Sequence, residues 1–225
     1  MATFTTTINI NQYDLKILKE NAYSLYGFKS VAASGNGAPT IWCNLSSQLY
    51  PKTQITWEEE FQAYDSTSSI IPNVTINAEN TIATGLRQLV TIERGSGDIV
   101  STTNGRDGAI SFFNNDTQQF TVGINQLVNG QSNILCAFPI LGSGNSSVIT
   151  PINKIALIFS TQQIPNGTVI TKAMAAGAFI DLTDATSREV NYDINTGWSA
   201  GGAVWLENFD PSTDLTSLLI EDLKI

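Results

Sequence analysis

The chain has 225 residues, 11 basic and 20 acidic side chains, no histidine and two cysteines, and only 14% of it is charged. These figures exclude a Ser-His-Asp or Cys-His catalytic pair, an imidazole-ligated zinc and a four-thiolate metal site. A net charge of -9 argues against a nucleic-acid partner, which requires a positive footprint. Thr, Asn, Ser and Gln fill about a third of the chain, so neutral hydroxyl and amide groups supply most of its polar surface.

From the N-terminus, Phe4 to Ile10 alternates apolar and polar residues and predicts a strand. Asn11 is placed to cap a short helix through Asp14 to Asn21, with Leu15, Leu18 and Ala22 at helical spacing, before the chain extends from Tyr23 to Ala32. Ile55 to Tyr64 again has period 2, with Ile55, Trp57, Phe61 and Ala63 on one face and a single interruption at Glu59. Turn residues punctuate such stretches at short intervals, among them Gly35-Asn-Gly37, Asn129-Gly130 and Pro165-Asn-Gly167. Many short strands with this punctuation predict an all-β fold, an antiparallel β-sandwich or barrel-like sandwich with one short N-terminal helix. The simplest organisation is one domain over 1–225. The alternative is two packed β modules, 1–145 and 146–225, divided in the Gly/Ser/Asn-rich segment that runs from Gly142 to Pro151.

Residues 117–153 carry no charge at all. The centre of this stretch predicts a hairpin, with Phe120, Val122 and Ile124 on one arm, an Asn129-Gly130 turn of type I′ geometry, and Ile134, Cys136, Phe138 and Ile140 on the return. Two such arms suit either a membrane-inserting or assembly hairpin, since charge on a lipid face is costly, or the central hairpin of a sandwich. No apolar run is long enough for a membrane-spanning helix, which needs about 18 residues or more. Ser212 to Lys224 is open between a helix, from Leu215, Leu218, Leu219 and Leu223, and a closing strand.

Candidate chemistry is sparse. Glu58 and Glu60 share one strand face and point in parallel, whereas a glycosidase needs convergent carboxyl groups. Asp181 and Asp184 read as turn formers. Asp193-Ile-Asn195-Thr-Gly197 resembles the start of a calcium loop without its closing acidic residue, so no metal and no cofactor is expected. Cys43 and Cys136 both lie in apolar strands and are expected as buried free thiols, although a disulfide between them is not testable from sequence. Trp198, Trp205, Trp42 and Tyr64 are the candidate ligand-binding aromatics, because such rings offer sugars or lipid headgroups an apolar face and a polar edge. Trp198, beside Gly197, is the one expected to be exposed.

Trp57-Glu-Glu-Glu-Phe61-Gln-Ala-Tyr64, Pro151-Ile-Asn-Lys-Ile155-Ala-Leu-Ile-Phe159, Gly167-Thr168 and Phe179-Ile-Asp-Leu-Thr183 resemble segments of a group of small, uncharacterised all-β proteins found in fungi and bacteria. The resemblance implies an all-β fold and no particular activity. The resulting expectation is a non-enzymatic, toxin-like or recognition β protein that binds a membrane lipid or a glycan. The alternative is a structural or storage protein, a homo-oligomer joined through strand edges such as Phe4 to Ile10. A secreted or released setting fits the composition, although no signal peptide is recognisable at the start of the sequence.

Overall fold

The computed structural model describes residues 2–46 and 48–223. It is 54% strand and 6% helix, with two curled, mixed sheets packed face to face. In chain order the first elements are β1 (Thr3–Ile10), α1 (Gln12–Glu20), β2 (Ser24–Ala33), β3 (Ala38–Pro39), β4 (Cys43–Leu45), β5 (Lys52–Ser66) and β6 (Asn80–Thr84). There follow β7 (Gln88–Ile92), β8 (Ile99–Thr102), β9 (Ile110–Asn114), β10 (Phe120–Val128), β11 (Gln131–Ile134) and β12 (Cys136–Ile140). The remainder is β13 (Asn145–Ser160), β14 (Gly177–Asp181), β15 (Ser187–Asp193), β16 (Gly197–Ser199), β17 (Leu206–Phe209), α2 (Leu215–Leu219) and β18 (Ile220–Asp222).

One sheet runs β16-β15-β1-β5-β10-β12-β3, with β6 beside β5 and β11 beside β10. The other runs β17-β14-β13-β9-β7-β8, with β2 joining β13 to β18 and β4. Pairing is mostly antiparallel, but β1 with β15, β7 with β9 and β18 with β2 are parallel. Both sheets draw strands from either side of residue 145. The main core between them holds Ile8, Trp42, Ile55, Trp57, Val122, Leu157 and Val190. A second cluster around Tyr26, Phe28 and Ile158 covers the outer face of the β2–β13 sheet, under α2. A third, around Tyr64, Ala137 and Val169, covers the outer face of the other sheet.

Local chemistry explains the elements. The Asn11 side chain accepts from Asp14 N and caps α1 as expected. In β1 the even positions from Phe4 to Ile10 are buried, matching the period-2 pattern. The C-terminal segment resolves into both alternatives in turn: Asp214 caps the five-residue α2 by accepting from Thr216 N and Ser217 N, and the chain then extends as β18 beside β2.

The uncharged hairpin forms with its I′ turn, since Asn129 and Gly130 have φ of 47° and 76°. Its return arm contains a bulge: Asn125 faces Ile134, but Val122 faces Phe138, and Leu135 N reaches Ile124 O. A bulge reverses the facing of the residues beyond it. Cys136, Phe138 and Ile140 therefore enter the main core while Ile134 joins the outer cluster. Gly123 sits at this point because a Cβ there would lie 2.1 Å from Cys136 O and 2.7 Å from the Tyr64 ring.

Candidate functional site

The two longest strands, β5 and β13, are each interrupted by a bulge. In β5 the register against β10 shifts between Trp57 and Phe61, where the alternation of the sequence breaks at Glu59, and Gln126 Nε2 donates to the freed Glu58 carbonyl at 2.8 Å. In β13 the register against β2 shifts between Pro151 and Ile155. The two bulges meet across the sandwich. Asn153 Oδ1 lies 3.4 Å from Trp57 Nε1, and Asn153 Nδ2 lies 3.5 Å from Glu59 Oε1. Between them Lys29, 1% exposed, donates to Ile152 O and to Asn153 Oδ1 at 3.1 Å, with its Nζ 5.3 Å from the Trp57 ring centroid. Burial lowers the Lys29 pKa to about 7, and the Glu59 carboxylate pulls it back upward. An open groove of about 600 Å³ lies over Asn153 and Phe4, but Lys29 is not among its walls.

A second cavity, about 610 Å³, lies elsewhere, where the end of β5 and the start of β10 meet the loop before β3. Its lining contains no ionisable side chain. One wall is the segment 66–70, held by a dense set of short-range bonds. Ser66 Oγ donates to Asn77 O at 2.7 Å and accepts from Ser68 N at 2.9 Å, while Asn77 N donates to Ser68 Oγ at 3.1 Å. Glu79 accepts from Thr67 N at 3.0 Å, and Thr121 Oγ1 donates to Ser68 O at 2.7 Å. Behind them Asp65 is buried, which raises its pKa, and two bonds from Asn80, at 3.0 and 3.3 Å, pull it back down. Phe120, Pro139 and Ile70 supply apolar surface. Asn36, Ser69, Gln119 and Thr171 also line the cavity, and among the described residues no side-chain hydrogen bond of theirs to the protein is formed. A rigid wall with apolar patches and unpaired neutral donors and acceptors suits a ligand rich in hydroxyl groups.

The aromatics singled out from sequence are used internally, which corrects the expectation of a stacking surface. Trp42 is fully buried and meets Trp57 edge-on at 5.6 Å, and Trp57 in turn stacks on Phe4 at 5.6 Å. Tyr64 is buried, and its hydroxyl donates to Cys136 O at 2.8 Å. Trp198, expected to be exposed, is 4% exposed because it stacks on Phe159 at 5.4 Å and meets Tyr192 at 4.9 Å. Trp205 is partly buried, with the Arg188 guanidinium 4.7 Å above its ring.

Phe120, Val122, Ile124 and Phe138 are likewise core residues. The hairpin is therefore not a detachable arm: β10 is flanked by β5 and β12 and buried on both faces along most of its length. Nor is Phe4 to Ile10 a free edge, since β1 lies between β5 and β15. Of the aromatics named from sequence, Phe120 is the one that lines the cavity.

The aspartate candidates are engaged in local structure. Asp181 accepts from Thr183 N and Oγ1 at 2.8 and 2.6 Å, and Asp184 pairs with Arg188. Asp193 accepts from Asn195 N and Thr196 N, both at 2.9 Å, closing the β15–β16 turn. Cys43 and Cys136 are free and buried, and burial pushes both thiols up to about 12. Comparison with protein-family models, with curated proteins and with solved structures finds no match to this chain.

Proposed function

We propose that this chain is a non-enzymatic binding protein that holds an uncharged glycan in the 610 Å³ cavity. The observation that carries this reading is the chemistry of the cavity wall. It offers carboxamides and hydroxyls that the fold leaves unpaired, with Phe120, Pro139 and Ile70 beside them and no charge to favour an ion. Alternating hydroxyl and C–H surface is what a sugar presents. A glycan is favoured over a lipid surface because β10, the first arm of the uncharged hairpin that suggested membrane insertion, is buried on both faces along most of its length.

The test is binding of the intact protein to an array of neutral glycans, followed by calorimetry on the ligands that bind. The expected result is binding that Ser69→Trp abolishes by filling the cavity, with an unchanged unfolding transition. Absence of binding to every neutral glycan, or equal binding by the Ser69→Trp variant, would overturn the reading.

A further inference from the structure

Lys29 is the one buried lysine among the described residues, and its hydrogen bonds go to neutral oxygens, Ile152 O and Asn153 Oδ1, rather than to a carboxylate. An ammonium group held this way is costly, because desolvation disfavours its charged form. With its pKa lowered to about 7, a large share of the amine is unprotonated at neutral pH, and an unprotonated amine is a nucleophile.

The group it faces is an electrophile. Asn153 sits in the β13 bulge, where the register against β2 is broken, and three side chains converge on its carboxamide. Lys29 Nζ lies 3.1 Å from Oδ1, Trp57 Nε1 donates to the same oxygen at 3.4 Å, and Glu59 Oε1 lies 3.5 Å from Nδ2. These are the parts that an amide exchange needs: an amine beside the carbonyl, an N–H donor on the oxygen where charge develops, and a carboxylate beside the leaving nitrogen. The open groove over Asn153 gives the leaving group a way out.

We infer that the chain cross-links itself here, Lys29 Nζ joining Asn153 Cγ in an isopeptide bond between β2 and β13. The lone pair of neutral Nζ attacks Cγ, and negative charge builds on Oδ1, where the Trp57 N–H holds it. Glu59 takes a proton from Nζ and delivers one to Nδ2. The Cγ–Nδ2 bond then breaks, ammonia leaves, and the new amide keeps one N–H on Nζ. One amine and one carboxamide thus give one substituted amide and one ammonia, with no oxidant or cofactor. The product replaces a buried titratable group by a neutral one, so the pH dependence of stability that Lys29 sets belongs to the unlinked chain. The link is independent of the glycan reading.

The experiment is mass spectrometry of the intact chain, denatured after it has been held folded at neutral pH, followed by peptide mapping. The expected result is a loss of about 17 Da, one ammonia, located in a branched peptide that joins Lys29 to Asn153. Glu59 is exposed, so Glu59→Gln should fold as the wild type does by circular dichroism and form the link at least about 100-fold more slowly, the effect of losing a positioned proton-transfer group. A wild-type chain that keeps its full mass would overturn the inference. So would the same loss mapped to ring closure at an Asn-Gly step such as Asn129-Gly130, or linkage at the wild-type rate in Glu59→Gln.

Discussion

The two polar regions of this molecule spend their hydrogen bonds in opposite ways. At the junction of the β5 and β13 bulges the side chains of Asn153, Lys29 and Trp57 are all committed. Asn153 accepts from Lys29 and Trp57 and donates to Glu59, and Lys29 also satisfies the Ile152 carbonyl that the β13 bulge frees. In the large cavity the structural bonds are made within and behind the wall, by Ser66, Asn77, Glu79 and Asp65, while Asn36, Ser69, Gln119 and Thr171 are left over. A satisfied polar cluster in a low-dielectric interior fixes a structure. An unsatisfied one at an open surface is available to a ligand. The most unusual ionisable group in the chain, Lys29, therefore belongs to architecture, and the least conspicuous residues carry the binding surface.

If the junction is architectural, disturbing it should cost stability first. Trp57→Ala removes the ring that packs against Phe4 and Trp42 and lies under the Lys29 ammonium. The expected loss is about 3–5 kcal/mol, as for other buried aromatics, measurable by urea denaturation. A loss below about 1 kcal/mol would mean that the bulges do not meet as described.

Next in size is a pH effect with a definite sign. Lys29 keeps its proton to about 10.5 in the unfolded chain and only to about 7 when folded. Between these values the unfolded state binds more protons, so stability rises with pH, by about 1.4 kcal/mol per unit. Cys43 and Cys136 act the other way. Their folded pKa values are pushed from 9.0 to about 12, so above pH 9 the unfolded chain loses protons first and stability falls. Unfolding free energies of the unlinked chain should therefore climb by roughly 1.5 kcal/mol from pH 7 to 9 and then turn down. Lys29→Met should flatten the climb and cost about 1–3 kcal/mol at pH 7, since it strands the Ile152 carbonyl and Asn153 Oδ1. A wild-type curve that is flat from pH 7 to 9 would place the ammonium in water.

How much of this was legible depended on whether the signal was periodic. Period 2 in Phe4 to Ile10 and Ile55 to Tyr64 led directly to β1 and β5, and Asn11 and Asn129-Gly130 marked a cap and a turn through their own side chains and φ values. The break at Glu59 was visible as an irregularity, but its meaning needs the partner strand, because a bulge is a mismatch between two strands. Ile134 and Ile140 look alike in sequence and end on opposite faces for the same reason. The tryptophans misled because a ring's usefulness as a platform depends on what covers it, and Trp198 is covered by Phe159 and Tyr192 from distant strands. Gln119 and Thr171 had no signal at all, since they are two more neutral residues in a chain full of them. Only the tertiary fold distinguishes an amide that caps a turn from one left facing a cavity.

The smallest stability effect tests the other half of the contrast. Gln119→Ala and Thr171→Val each remove a side-chain polar group that makes no hydrogen bond to the rest of the protein. Such changes leave no buried partner orphaned, so unfolding free energies should stay within about 0.5 kcal/mol of wild type. Ser66→Ala, in the same wall, should cost about 1–2 kcal/mol, because it strands the Asn77 carbonyl and the Ser68 amide. Binding should show the reverse order, with Gln119→Ala and Thr171→Val weakening a neutral glycan by about five- to tenfold, the value of one or two lost hydrogen bonds. If Gln119→Ala and Thr171→Val destabilise the fold as much as Ser66→Ala does, those side chains belong to the architecture and the contrast between the two regions fails.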